Sequence, residues 1–188
     1  MLMQNSDYNT QFSATTLLYY LSQKKRCRTV IILQVGKIMK LLDHWMEVPD
    51  EQFNRLAIKL GANLVIDEEA KSEVMHLLPS LKHFMMMTKS KDGDTQTGAA
   101  SFLCNLSNTL DDKHRSNLVE AGAVWRLKSI ERSARQPMAR QIASTALKTH
   151  LADHVAVIKI QAMVRGRLHR MRSRKRMDKM SAQEAATN

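Results

Sequence analysis

Between Ile160 and Arg170 an isoleucine is followed by Gln161. An Arg165–Gly166 pair stands four residues further on, and Arg170 closes the stretch. These residue types perform recognition and break no bonds. An aliphatic side chain can anchor in an apolar cleft. A primary amide both donates and accepts, so it reads register against a backbone. Two guanidinium groups five residues apart can reach carboxylates with paired N–H donors. A glycine inside a helix costs about 1 kcal/mol relative to alanine, which makes sense where another molecule must approach closely. Bond-making chemistry has no counterpart in the chain: it lacks a phosphate loop, a nucleophile elbow and metal-ligand spacing. His76 and His83 lie seven apart with Pro79 between them. Asp92-Gly93-Asp94 reads as a turn, because the further oxygen ligands and the closing Glu of a calcium loop are missing. Trp45 and Trp125 read as packing residues. The chain is therefore expected to be no enzyme and to need no metal or cofactor.

The element that must position the stretch is a helix. From Val155 to Met180 there is no proline and Gly166 is the one glycine. Ile160, Val164, Leu168 and Met171 fall at spacings of four, four and three, with Met163 beside them, so they form one apolar stripe. Cations fill the other faces. Nine Lys/Arg occur between Lys159 and Lys179 against the single acid Asp178, and this segment carries +8 of the formal charge of +11. Such a helix suits an acidic partner: an EF-hand protein, an anionic membrane surface or nucleic acid. Nucleic acid is the second choice, since no aromatic residue follows Trp125 and base stacking has no platform. Arg172–Arg176 ("RSRKR") also has the composition of a nuclear import signal.

The order Ile-Gln-x-x-x-Arg-Gly-x-x-x-Arg resembles the IQ motif, the docking helix for calmodulin and myosin light chains, at every specified position. The resemblance implies a calmodulin or light-chain site made of Ile160, Gln161, Met163, Val164, Arg165, Gly166, Leu168, Arg170 and Met171. In that family a complete motif binds calcium-free calmodulin or a related light chain. Val164, Leu168, Met171 and Met177 also have the spacing of anchors for the calcium-loaded form, so calcium would move the clamp along one helix.

The rest of the chain is helical by composition: 44% apolar and 5% aromatic residues, three Pro and six Gly. It also repeats. Gly36, Pro79 and Gly122 stand 43 residues apart. Ile32, Met75 and Leu118 precede them by four. Ile38, Leu81 and Val124 follow by two, and Leu41, Phe84 and Leu127 by five. Apolar positions recurring about a helix breaker predict a helix that stops, turns and restarts. Leu21 and Leu106 are equivalent in a second recurring helix. Asp50 and Asp94 are plausible N-caps, and Pro137 suits a first helical turn. Loops are expected at Val48–Asp50, Ser90–Thr95 and Ser133–Pro137, and Lys24–Arg28 reads as a basic loop.

A period near 43 with two or three helices per unit, and "GAASFLCNLSNTLDDKHRSNLVEAGAVWRLKSI" (Gly98–Ile130) above all, resembles the armadillo class. The expected fold is all-α: an armadillo/HEAT-like α-solenoid of about three to four repeats over residues 13–152, after an N-terminal segment 1–12. The basic helix at 153–180 and a tail at 181–188 complete the chain. Solenoids bind extended ligands along a groove lined by the third helices. The resemblance makes Arg55, Lys59, Asn63, Ser101, Asn105 and Asn108 the groove candidates, toward a protein ligand it does not identify. Asn63 and Asn105 loosely match the asparagine ladder of peptide-binding members, whose Trp partners are missing here. Because Leu17, Leu18, Tyr19 and Tyr20 follow the N-terminus almost at once, no polar cap is legible there. The reading favours the C-terminal piece of a longer solenoid over an unrecognised cap.

Two distant cysteines, Cys27 and Cys104, form no framework, and this fits a reducing compartment. The expected setting is the cytoplasm and its cytoskeleton, or the nucleus if the import signal acts. No apolar run approaches the roughly 20 residues of a membrane span, and MLMQNSDYNT has no leader pattern.

Overall fold

The computed structural model describes residues 7–109, 111–158, 160, 163, 165–167 and 169–171. Among these residues every element is helical, and the fold is all-α. The chain divides into two compact units, one ending at Leu151 and one beginning at Ala152.

In the first unit, α1 (Tyr8–Ser22) is followed by three rounds of three helices each. The first round is α2 (Lys25–Ile31), α3 (Val35–Trp45) and α4 (Glu51–Leu64). The second is α5 (Glu68–Leu77), α6 (Lys82–Met86) and α7 (Gly93–Ser107). The third is α8 (Asp112–Glu120), α9 (Ala123–Ser133) and α10 (Pro137–Thr145), which runs on into a π turn at Ala146–His150. The long helices α1, α4, α7 and α10 pack in sequence, each against the next.

Two rounds break at the predicted residue and the first breaks just ahead of it, by three different devices. At Gly122 the backbone adopts φ 84°, open to glycine at little cost. Pro79 lies in a 3₁₀ turn, Leu78–Ser80. Ahead of α3 the break is a 3₁₀ turn at Ile32–Gln34, and Gly36 sits inside the helix that follows. The recurrent positions Ile32, Met75, Leu118, Ile38, Leu81 and Val124 are all buried.

Aspartate N-caps recur at the long helices. Asp7 accepts from the Thr10 N–H, Asp50 from Phe53 and Asp92 from Thr95. Every hydrogen bond identified between distant described residues joins positions 37 to 43 apart, from Arg55–Asp92 to Asn105–Ala62. Each round is thus fastened to its neighbour by polar contacts.

Four expectations need correction. Asp92, not Asp94, caps α7, so the helix starts at Gly93, inside the expected loop. Asp92 reaches the third N–H of the helix, whereas Asp94 already lies in its first turn. Lys24–Arg28 is not a loop, since α2 begins at Lys25. Arg28 is buried and donates to Asp67 and to the Ser22 carbonyl. Trp125, expected as a packing residue, is 72% exposed, because the buried face of α9 is made by Ala123, Val124, Leu127 and Ile130. Leu21 is 37% exposed where its equivalent Leu106 is fully buried, for α1 stands at the end of the row.

Candidate functional site

In the second unit, residues 152–158, 160, 163, 165–167 and 169–171 are helical. Ile160, Met163 and Met171 are each more than half exposed, and Arg165, Arg167 and Arg170 are exposed as well. Gln161, Val164 and Leu168 of the predicted site lie outside the described residues, as do Arg172–Arg176, Met177 and residues 181–188. Gly166 has no positive φ. A Cβ built on it would meet only the Arg170 guanidinium, at an ordinary 3.6 Å. Among the described residues, neither backbone geometry nor crowding therefore requires glycine there. Its helix penalty stands without compensation from the described residues.

The six groove candidates meet different fates. Arg55 donates through Nε and Nη2 to the two oxygens of Asp92, at 3.1 and 3.0 Å. Lys59 lies 3.7 Å from Asp94. Asn63 donates to the Ser22 hydroxyl, and Asn105 to the Ala62 carbonyl. These two amides tie consecutive long helices together instead of standing ready for a ligand. The Ser101 hydroxyl donates to the Thr97 carbonyl of its own helix. Asn108 ends α7, and its carbonyl accepts from the buried Lys71 ammonium.

The structure does gather Arg55 and Lys59 into a cleft between α1 and α4, with Phe12, Tyr19 and Tyr20. The aromatic members were missed by the sequence reading, which saw α1 only as a repeat element. Their signal is the Leu17–Tyr20 cluster itself. The cleft's cations are committed to acids of the next round. Burial pushes the Asp92 carboxyl up. The Thr95 hydroxyl, Arg55 and the Thr95 N–H outweigh that and hold it well below the usual carboxylate range. Gln136, then Lys59, lower that of Asp94. At the edge of α1, burial and then the bond to Asp50 raise the Tyr8 phenol above its ordinary value.

No family model and no curated protein matches the chain. Two engineered proteins solved by the Northeast Structural Genomics Consortium are similar in structure, with TM-scores of 0.67 and 0.63. Each is 21% identical over 78% of this chain, which spans 59% and 58% of their respective lengths. The likeness is one of fold. Among the described residues, no helix is long and apolar enough to cross a membrane.

Proposed function

We propose that the chain is a non-enzymatic adaptor whose C-terminal helix recruits calmodulin or a related EF-hand light chain. The helical stack, read as armadillo-like, would hold a second protein. The observation that carries this reading is the ordered set Ile160, Gln161, Arg165, Gly166 and Arg170. It is supported by the exposed apolar side chains of Ile160 and Met163 on a helix rich in arginine. It is supported too by a glycine that nothing among the described residues requires. Two acidic lobes would close around the helix. Ile160 would be seated in one of them, the Gln161 amide would fix register, and Arg165 and Arg170 would meet carboxylates at the rim. Positive charge speeds such an encounter more than it deepens the final affinity. This reading puts the protein in the cytoplasm, with the cytoskeleton as its natural setting.

The test is a titration of the full chain with calmodulin, in calcium and in chelator. Ile160→Glu with Arg165→Ala should remove an anchor and a charged contact. A loss of about 2 kcal/mol, or roughly thirtyfold in affinity, is expected. Unchanged binding would sink the proposal. The nine Lys/Arg between Lys159 and Lys179 favour a second reading, an electrostatic arm for nucleic acid. RNA or DNA binding that weakens steeply with salt and ignores Ile160→Glu would select it.

A further inference from the structure

Charge in the first unit is uneven in a way the adaptor reading does not use. From residue 8 to residue 42 there is no Asp or Glu, and there are six Lys/Arg. Of these, Arg28 is buried against Asp67, while Lys24, Lys25, Arg26, Lys37 and Lys40 are exposed. From residue 43 to residue 158, acids and bases nearly cancel, fifteen against fourteen.

The same end of the stack carries apolar side chains that the repeat buries elsewhere. Leu17 is 56% exposed and Leu21 37%, whereas Leu60 and Leu64, 43 residues on in α4, are fully buried. Tyr20 and, beyond the turn into α2, Val30 and Leu33 are exposed too. Leu17 and Leu21 share one face of α1 at helical spacing, and beyond the turn at Gln23 the exposed Lys24, Lys25 and Arg26 open α2, so the apolar stripe is followed by a cationic end. α1 uses its other side to pack against α4, as α4 packs against α7. The exposed stripe therefore continues the row of long helices and has the shape that a further helix fits.

We infer that this face of α1, with the cations of α2, docks an amphipathic helix rich in Asp and Glu contributed by a partner protein. Its apolar stripe would lie over Leu17 and Leu21, and its carboxylates would meet Lys24, Lys25 and Arg26. A second copy of this chain is disfavoured as occupant by its own charge of +11. A flat membrane would not use the helical register that α1 shares with α4 and α7.

The probe is a synthetic helix of about 18 residues, long enough to hold its form. It carries Leu at three- and four-residue intervals and Glu elsewhere, and a second peptide has Lys in place of Glu. Each is titrated into the isotopically labelled full chain, and amide resonances are followed. The Glu peptide should perturb α1 and α2. Leu17→Ser with Leu21→Ser should weaken that binding about tenfold, and Lys24→Glu with Arg26→Glu by a similar factor. All four side chains are exposed, so both variants should keep the wild-type helical signal. Glu peptide bound by the basic C-terminal segment would perturb a separate set of amides. The inference is overturned if only that set responds, or if the Lys peptide moves α1 equally. It is also overturned if neither double variant weakens binding at α1, or if phosphatidylserine-containing vesicles perturb α1 where the Glu peptide does not. Self-association that protects α1 before peptide is added would overturn it as well.

Discussion

Asp92 gathers three groups onto one carboxylate: the Thr95 N–H, the Thr95 hydroxyl and the Arg55 guanidinium. It closes the N-terminus of α7 and fastens α7 to α4 at the same time. Its carboxyl is more acidic in the folded chain than in the unfolded one, so the folded state binds fewer protons as pH falls. The stability it adds is complete above the unfolded value of about 3.9 and is lost as pH drops below that toward the folded value. Thermal melts of the wild type and of Asp92→Asn at falling pH should therefore converge below about pH 4, the wild type being the more stable above it. A constant difference across that range would show that the carboxylate's charge is irrelevant. The same residue explains why the cap was misread. Asp92 and Asp94 are equally good caps by type, and Arg55, 37 residues away, favours the first. Arg28 makes the point again: nothing local reveals that Asp67 will bury it.

Helix α6 is only five residues long, too short to persist without tertiary support. Its neighbours supply that support at both ends. Asp43 of α3 accepts from the His83 and Phe84 N–H groups, and Arg126 of α9 donates to the Met85 carbonyl. Negative charge at the N-terminus and positive charge at the C-terminus both match the helix dipole. Asp43→Ala should cost about 1–2 kcal/mol, leaving two amides unsatisfied near the core. The check is a denaturant midpoint together with hydrogen exchange at His83 and Phe84, which should lose protection first. Uniform loss across α1–α10 would refute the local cap. Much of the element order was legible in the sequence, because breakers and apolar positions recur 43 residues apart. The caps of α6 were not, since they come from the rounds on either side. For the C-terminal helix the residue order was legible without any fold. Among the groove candidates, the bonds of Asn63 and Asn105 to neighbouring long helices were not legible, because a single repeat does not reveal them.

At the scale of the first unit, cohesion comes from contacts between adjacent rounds, so the position of a defect decides how far it spreads. Phe84 and Phe102 lie in the middle round with ring centroids 5.2 Å apart, both almost completely buried. Their surroundings have no slack: a Cβ on Gly61 of α4 would come within 2.4 Å of the Phe84 ring. Leu147, by contrast, is buried in the π turn that ends the last round. Phe102→Ala should cost about 3–5 kcal/mol, and Leu147→Ala about 2–5. The comparison that matters is spatial. In a stack held by nearest neighbours, a central cavity removes interfaces on both sides, and protection from hydrogen exchange should fall from α4 through α10. The terminal substitution should loosen α9 and α10 while α1–α4 keep their protection. If both substitutions lowered exchange protection equally along the whole unit, it would be a single cooperative core, and the 37–43-residue spacing of its polar contacts would have no energetic meaning.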